Sequence, residues 1–153
     1  MGAAAWAAMP APGEPAPDFD APTHDGKRLR LSSLKGHPTV LYFYPEADTP
    51  GCTSESKGLR DIYPELKAKK VEVIGVSTDT VGAQCNFAEK YSLPFPLVAD
   101  DSKQVGTAYG VLNPNGRARR VTFFIGADGK ISDVLDTSKA AAHVAKVRET
   151  FLA

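Results

Sequence analysis

The chain has 153 residues, and its 18 lysine and arginine residues balance 18 aspartate and glutamate residues, so its formal net charge at pH 7 is zero. This length suits a single domain with one hydrophobic core, and the lack of excess positive charge argues against nucleic acid or an anionic membrane as the main partner. Two cysteines are too few for a disulfide-stabilised scaffold, and their spacing matches no zinc site, so we expect neither a metal nor another cofactor.

The N-terminal segment differs in composition from the rest of the chain. Alanine and proline dominate residues 1–14, which predicts a flexible tail followed by one domain over residues 15–153. The opening letters MGAAAWAA lack the basic region and the long apolar core of a secretory signal, and no apolar run in the chain is long enough to span a membrane. We therefore expect a cytoplasmic protein.

Strand and helix patterns alternate along the domain. In chain order they predict a hairpin over 19–31 with its turn at His24-Asp25-Gly26, a helical turn over 31–36, a buried strand over 39–44, a helix over 52–68, a buried strand over 71–77, a helix over 80–91, a strand over 95–99, a helix over 102–109, paired strands over 121–125 and 131–135, and a last helix capped by Ser138. The strand–helix–strand unit predicts a right-handed parallel crossover. This order is typical of an α/β thioredoxin-like fold, a central mixed sheet flanked by helices, with the first hairpin as an N-terminal extension.

Cys52 lies shortly after the strand predicted at 39–44 and at the start of the helix that follows it. Backbone N–H groups in the first turn of a helix have no intrahelical partners, and the helix dipole places positive charge there. Both effects favour a thiolate, which makes this cysteine a candidate nucleophile, redox centre or metal ligand. The plainer interpretation is a small buried residue that happens to lie near a helix start.

The residues around Cys52 resemble the active-site signature of the peroxiredoxins. Pro45, Thr49 and Cys52 form the pattern Pro-x-x-x-Thr-x-x-Cys within the run FYPEADTPGCTSE. Further matches are VIGVSTD (73–79), FAEKYSLPFPLVAD (87–100) and RVTFFIGADGKI (120–131). From about residue 15 onward the chain is most similar to the peroxiredoxin Q group, also called bacterioferritin comigratory protein.

This resemblance implies a biochemical function. It implies a thiol-dependent peroxidase that reduces hydrogen peroxide and organic hydroperoxides, with thioredoxin or a similar thiol as reductant and a monomer or weak dimer as the assembly. Two other classes of function remain as alternatives. A thioredoxin-like disulfide oxidoreductase is disfavoured because the chain has no Cys-x-x-Cys motif, and a non-catalytic redox sensor or holdase would use the same fold only to bind partners.

The resemblance also implies roles for four residues besides Cys52. Thr49 would hydrogen-bond the thiolate and the peroxide through its hydroxyl, and Pro45 would shield the thiolate from water. Arg120 occupies the place of an arginine whose charge favours the thiolate and supports the departing oxygen, and Glu55 matches the carboxylate that orients this arginine. Arg119 is the competitor, but strand alternation directs only one of two adjacent side chains inward. Each of these residues also has a plainer interpretation. Thr49 could supply only a turn hydroxyl, Arg120 could form a surface ion pair, and Glu55 could complement the charge of the helix N-terminus.

The three histidines predict no site. His24 lies in a turn, His37 precedes a strand and His143 lies on the last helix. A hydrolase dyad would need a histidine beside Cys52, and nothing in the sequence places one there.

The second thiol departs from the pattern of the group. Many members carry a second cysteine five positions after the first, where this chain has Lys57, so that intrahelical disulfide is impossible here. Cys85 lies in the helix over 80–91, one turn before Ala88, the usual place of a resolving cysteine in that helix. Two interpretations stay open: Cys85 resolves oxidised Cys52 after the helix over 52–68 partly unwinds, or it only packs and the enzyme is a one-cysteine peroxiredoxin reduced by an external thiol.

Overall fold

The computed structural model describes residues 8–153. Every predicted helix and strand is present there, with ends that differ by at most two residues from the prediction. Within residues 8–153, no helix combines the length and the apolar character needed to cross a bilayer. In chain order the elements are β1 (Asp20–Pro22), β2 (Arg28–Arg30), a 3-10 turn (Leu31–Leu34), β3 (Thr39–Phe43), α1 (Pro50–Ala68), β4 (Glu72–Ser77), α2 (Val81–Lys90), β5 (Leu97–Ala99), α3 (Gln104–Ala108), β6 (Val121–Ile125), β7 (Ile131–Asp136) and α4 (Ala140–Leu152).

Five of the strands form one mixed sheet in the order β5-β4-β3-β6-β7, and β1 and β2 form a separate two-stranded hairpin. β3 pairs in parallel with β4, and β4 with β5, whereas β6 runs antiparallel to both β3 and β7. A parallel βαβ unit extended by an antiparallel hairpin is the thioredoxin-like arrangement. The predicted fold class, including the N-terminal hairpin, is confirmed.

Strand β3 lies at the centre of the sheet and leads into the segment that carries Cys52. All five of its residues are buried, and because both of its faces are covered, it reads as a continuous β-branched and aromatic run rather than as an alternating one. Val40 and Tyr42 pack in the cluster beneath α1 and α2, whereas Leu41 and Phe43 pack in the cluster on the other face of the sheet. The rigid centre of the sheet therefore fixes where the next loop begins.

Helix α1 starts two residues earlier than predicted, with Thr49 as its N-cap and Pro50 in its first turn. Proline suits this place because the first N–H groups of a helix have no intrahelical acceptor. Further along, α1 packs closely on α4, and a Cβ on Gly58 would lie 2.8 Å from Cγ2 of Val144. Glycine at this position therefore allows the two helices to approach.

The predicted cap of α4 is wrong. Lys139 occupies the N-cap position, and no side chain caps the helix. Ser138 contributes its backbone instead, since its carbonyl oxygen accepts a hydrogen bond of 3.2 Å from Nε of Arg120. The neighbouring carbonyl of Thr137 lies 2.8 Å from Nε2 of His143. The side chains of Arg120 and His143 therefore hold the segment before α4 in place, and a serine cap does not.

Part of the predicted N-terminal tail contacts the domain. Met9 packs against the core, the N–H of Gly13 donates to the carbonyl of Ile131 at 2.8 Å, and the N–H of Ile131 donates to the carbonyl of Glu14 at 2.8 Å. Residues 1–7 of the predicted tail lie outside the described residues. The boundary between residues 14 and 15 stays a prediction.

Candidate active site

Cys52 is buried in the first turn of α1, with 1% of its surface exposed. The first backbone hydrogen bond of the helix runs from the N–H of Thr53 to the carbonyl of Thr49, 2.8 Å long. The N–H groups of Gly51 and Cys52 precede it and have no acceptor within residues 8–153. Together with the helix dipole, they make this turn a place that favours negative charge.

Arg120, the residue directly before β6, reaches across to this turn. Its Nη2 lies 3.4 Å from Sγ of Cys52, its Nη1 lies 2.5 Å from Oε1 of Glu55, and its Nε binds the carbonyl of Ser138. Only 10% of the Arg120 side chain is exposed. Burial opposes the charge, but the Glu55 carboxylate and the Cys52 sulfur outweigh it and keep the pKa of Arg120 above its usual value. A Cβ on Gly51 would lie 3.0 Å from Nη2, so glycine leaves room for the guanidinium.

Arg119 points away from Cys52. Its Nη2 lies 3.2 Å from Oδ2 of Asp136 and 3.2 Å from the sulfur of Met9, and its Nη1 reaches the carbonyl of Gly110 at 3.5 Å. The two adjacent arginines thus occupy different sides of the chain. Of the two, the structure brings Arg120 to the cysteine.

Glu55 is fully buried one turn after Cys52. Burial raises the pKa of its carboxyl group to about 7, against the opposing pull of the Arg120 charge. Oε1 is bound by Arg120, whereas Oε2 is buried without a hydrogen-bond donor among the described residues and lies 3.8 Å from Nδ1 of His143. A carboxylate with one satisfied and one unsatisfied oxygen therefore stands behind the guanidinium.

His143 is the residue of this cluster that the sequence did not predict. It is fully buried, its Nδ1 lies 2.8 Å from Oγ1 of Thr122, and burial lowers the pKa of its imidazole. It contacts the Glu55 side of the cluster rather than Cys52, so it forms no Cys–His dyad. The available signal was its position: His143 and the buried Val147 are four residues apart on one face of α4.

Thr49 is the N-cap of α1, three residues before Cys52, and Pro45 lies in the loop between β3 and α1. Oγ1 of Thr49 donates a hydrogen bond of 2.8 Å to the carbonyl of Glu46, so its proton is already used while its lone pairs can still accept a hydrogen bond. Among residues 8–153, no hydrogen bond joins Thr49 to Cys52. Pro45 is half-buried and borders an open cavity of about 280 Å³ beside the guanidinium. The cavity is lined by Pro45, Asn113, Arg119, Arg120, Asp136, Thr137 and Ser138.

A larger cavity, of about 340 Å³, lies at the other end of β3. It is bounded by the 3-10 turn and by the turn between β6 and β7, and it contains none of the predicted site residues. Of the predicted site residues, Pro45 and Arg120 line the smaller cavity.

The similarity to known proteins extends over most of the chain. The model of the AhpC/TSA family matches residues 12–134. The chain belongs to this family. It is 43% identical over 142 residues to the putative peroxiredoxin bcp of Coxiella burnetii, covering 88% of this chain and 94% of that protein, and 41% identical over 138 residues to peroxiredoxin Bcp of Escherichia coli K12, covering 86% and 88%.

Solved structures show the same relationship. Peroxidoxin BcpB from Mycobacterium tuberculosis superposes with a TM-score of 0.87 at 36% identity, covering 94% of this chain and 97% of that one. The bacterioferritin comigratory protein of Xanthomonas campestris superposes with a TM-score of 0.82 at 28% identity, covering 87% and 89%. The protein is a peroxiredoxin, a thiol-dependent peroxidase.

The loop that precedes Cys52 in this peroxiredoxin is bound to the end of α2. Asp48, in a left-handed conformation with φ 61°, accepts hydrogen bonds from the Tyr91 hydroxyl at 2.7 Å and from Nζ of Lys90 at 2.9 Å. Helix α1 contacts the same tyrosine, since Nη1 of Arg60 donates to its carbonyl at 2.8 Å and Nζ of Lys57 lies 5.8 Å from its ring centroid. These contacts hold the loop and the start of α1 against the helix that carries the second thiol.

The second thiol, Cys85, is half-buried on α2, and both cysteines are free thiols in this structure. Its Sγ lies 3.6 Å from Oε2 of Glu89. Desolvation and the negative charge of Glu89 raise the pKa of the Cys85 thiol. Cys85 is therefore a protonated thiol at neutral pH.

We expect Glu55→Gln to change the pH dependence of stability. The pKa of Glu55 is raised from 4.5 to about 7 in the fold, so its contribution is fully present below pH 4.5 and is lost as pH rises through 7. Because glutamine does not titrate, the free energy of unfolding of the variant, relative to wild type, should rise between pH 4.5 and 7, by up to about 3 kcal/mol, and then level off. Urea unfolding at several pH values measures this difference. A difference that is constant with pH would contradict the buried, proton-binding carboxyl.

Proposed function

We propose that Cys52 is the peroxidatic cysteine of this peroxidase, and that Pro45, Thr49, Arg120 and Glu55 complete its site. The observation that carries the proposal is the 3.4 Å contact between Nη2 of Arg120 and Sγ of Cys52, at a helix N-terminus whose first N–H groups have no acceptor among the described residues. A cysteine in such surroundings is poised as a thiolate. Glu55 holds the arginine in place through its other terminal nitrogen.

The geometry supports attack of the thiolate on one peroxide oxygen. The S–O bond forms as the O–O bond breaks, the sulfur is oxidised to a sulfenic acid, and the leaving oxygen takes a proton and departs as water or an alcohol. The guanidinium of Arg120 and the N–H groups of Gly51 and Cys52 are available to support the charge on the oxygens. Thr49 can orient the peroxide through its lone pairs, and Pro45 limits access of water.

We propose hydrogen peroxide and organic hydroperoxides as substrates. The cavity beside Pro45 and Arg120, of about 280 Å³, provides space next to the site for the organic part of a hydroperoxide. The similar bacterioferritin comigratory protein of Xanthomonas campestris has alkyl peroxide reduction activity. Peroxide consumption by the reduced protein, compared between hydrogen peroxide and alkyl hydroperoxides, tests this proposal. The proposal would be contradicted if the protein reacted with hydrogen peroxide and with alkyl hydroperoxides no faster than a free thiol does.

We further propose that Cys85 resolves oxidised Cys52 in an intramolecular disulfide, which thioredoxin or a similar thiol then reduces. A disulfide needs Cα atoms within roughly 7 Å of each other, and Cys52 is buried in the first turn of α1. We propose that this turn unwinds, and that the contacts of Asp48 with Lys90 and Tyr91 open, when the disulfide forms. The half-buried position of Cys85 leaves it accessible once that happens.

The Cys85→Ser variant tests the resolving step. Wild type treated with one equivalent of peroxide should become about 2 Da lighter, the mass of an internal disulfide, whereas Cys85→Ser should gain about 16 Da as the sulfenic acid and over-oxidise further. The variant should keep the first turnover and lose cycling with thioredoxin. Intact mass spectrometry measures the products, and NADPH oxidation coupled to thioredoxin reductase measures cycling.

A rescue variant provides the control. Adding Lys57→Cys to Cys85→Ser supplies a thiol five positions after Cys52 and should restore the internal disulfide and cycling, since Lys57 is exposed. If Cys85→Ser alone cycles as well as wild type with the same reductant, the enzyme works with one cysteine and Cys85 only packs.

We also propose that the domain over residues 15–153 acts as a cytoplasmic monomer. Size-exclusion chromatography with light scattering tests the monomeric state.

A further inference from the structure

Two hydrogen-bond acceptors face each other behind Arg120 with no proton between them. The carbonyl of Thr137 can only accept, so the imidazole of His143 must carry its proton on Nε2, 2.8 Å away. In the neutral ring Nδ1 is then an acceptor, and the hydroxyl of Thr122 donates to it at 2.8 Å. Oε2 of Glu55 lies 3.8 Å from this Nδ1 and has no donor among the described residues. One added proton would relieve this contact between two acceptors. On Oε2 it gives the unsatisfied oxygen a hydrogen to donate, and on Nδ1 it lets the ring donate while the Thr122 hydroxyl turns from donor to acceptor.

The charges of the buried site point to the same proton. With Cys52 ionised, the thiolate, the Arg120 guanidinium and the Glu55 carboxylate sum to one negative charge. These side chains are almost fully buried: Cys52 is 1% exposed, Arg120 10% and Glu55 0%. A full net charge in such a place is unfavourable, and the positive end of the α1 dipole, about half an elementary charge, offsets only part of it. One proton on the pair of Glu55 and His143 would make the cluster neutral while leaving the thiolate in place.

Other ionisable groups near the pair do not offer this compensation. Tyr42 faces Glu55 from β3, and its hydroxyl pairs with Oγ of Ser56 at 2.8 Å; burial raises its pKa well above the usual value, so it stays neutral. Asp136, at the end of β7, acts on His143 but is paired with Arg119 at 3.2 Å. The acceptor pair is therefore the place where a proton can be added.

We propose that His143 is a positioning residue of the peroxidatic site: with Glu55 it holds one proton, and the binding of that proton is coupled through Arg120 to the ionisation of Cys52. The inference rests on the proposed pairing of Cys52 with Arg120. By linkage, the thiolate makes the pair hold its proton more tightly, and a protonated pair makes the thiolate more stable. The raised pKa of Glu55, caused by burial, agrees with proton uptake at this pair near neutral pH.

The first test follows the His143 ring directly in reduced protein labelled with ¹⁵N-histidine. The ring signals of His143 should show the pair losing its proton at a pH about one unit higher in wild type than in Cys52→Ser, which has no thiolate. The signals of His37, at the other end of β3, serve as the internal control and should be the same in both proteins. Equal His143 titrations in the two proteins would overturn the inference.

The second test measures the pH midpoint of Cys52 alkylation by iodoacetamide in two variants of the pair. In His143→Asn the amide can donate to Oε2 and fix the carboxylate as an anion, so the midpoint should rise by about one unit. Glutamine at position 55 mimics the protonated carboxyl, since it is uncharged, can accept from Arg120 and presents an N–H toward His143, so Glu55→Gln should lower the midpoint. His37→Asn is the matched control and should leave it unchanged.

Opposite shifts are the decisive result, because loss of packing alone would move both variants in one direction or not at all. Shifts of the same sign, or none, would overturn the inference. If His143→Asn does not fold, the comparison of wild type with Cys52→Ser still decides. If wild-type Cys52 reacts like an ordinary exposed thiol, the proposed active site fails; if it reacts as a thiolate but is insensitive to the pair, only this inference fails.

Discussion

We expect Cys52→Ser to abolish peroxidase turnover while leaving the fold intact. Serine is nearly isosteric with cysteine, and position 52 is buried with 1% of its surface exposed, so the packing of the first turn of α1 should be preserved. A serine hydroxyl does not ionise near neutral pH, so the variant has no nucleophile for the peroxide. Consumption of hydrogen peroxide with thioredoxin as reductant measures turnover, and circular dichroism measures the fold.

The matched control for this experiment is Cys85→Ser. It carries the same substitution on α2 and should still consume one equivalent of peroxide per chain, because its Cys52 is unchanged. Peroxidase turnover by purified, contaminant-free Cys52→Ser protein would remove the basis of the proposed site.

The second large effect is expected at Arg120. Arg120→Ala removes the charged group 3.4 Å from Sγ of Cys52 and also leaves Oε1 of the buried Glu55 without the guanidinium that donates to it. One lost charge-assisted hydrogen bond corresponds to about 1.5–3 kcal/mol, so peroxide attack should slow by roughly one to two orders of magnitude. Stopped-flow measurement of the second-order rate of peroxide reduction by the reduced protein gives this number.

Arg119→Ala provides the control because it removes the same side chain from the adjacent position. Arg119 pairs with Asp136 near the surface and does not reach the cysteine, so its loss should leave the rate of peroxide attack within about twofold of wild type. Equal slowing by the two substitutions would show that the wrong arginine has been assigned to the site.

The features that could be predicted from the sequence are those that depend on residues close together in the chain. Val40 to Phe43 and their neighbours form a buried run whose residue types alone predict a central strand, and the eight residues from Pro45 to Cys52 form a contiguous motif. The placement of Cys52 at a helix N-terminus follows from this local order. The resemblance to peroxiredoxins rested on the same contiguous segments, and the family comparison confirmed it.

The pairing of distant residues could be predicted only in part. Arg120 is 68 positions from Cys52, and the sequence offered Arg119 as a competitor with the same chemistry. Strand alternation predicted that one of the two points inward, but which one depends on the register of β6 against β3. In the structure Val121 pairs with Phe43, which carries the residue before it to the end of the sheet where α1 begins.

The sequence by itself determined the candidate thiol, its helix and the fold class, because each depends on residue types at neighbouring or regularly spaced positions. The tertiary structure alone decided that Ser138 acts through its carbonyl, that Asp48 is bound by the end of α2, and that His143 stands behind Glu55. Each of these contacts joins elements far apart in the chain. Their partners are set by how α1, α4 and the sheet pack within a few ångströms of one another, and no local pattern of residues encodes a distance of that kind.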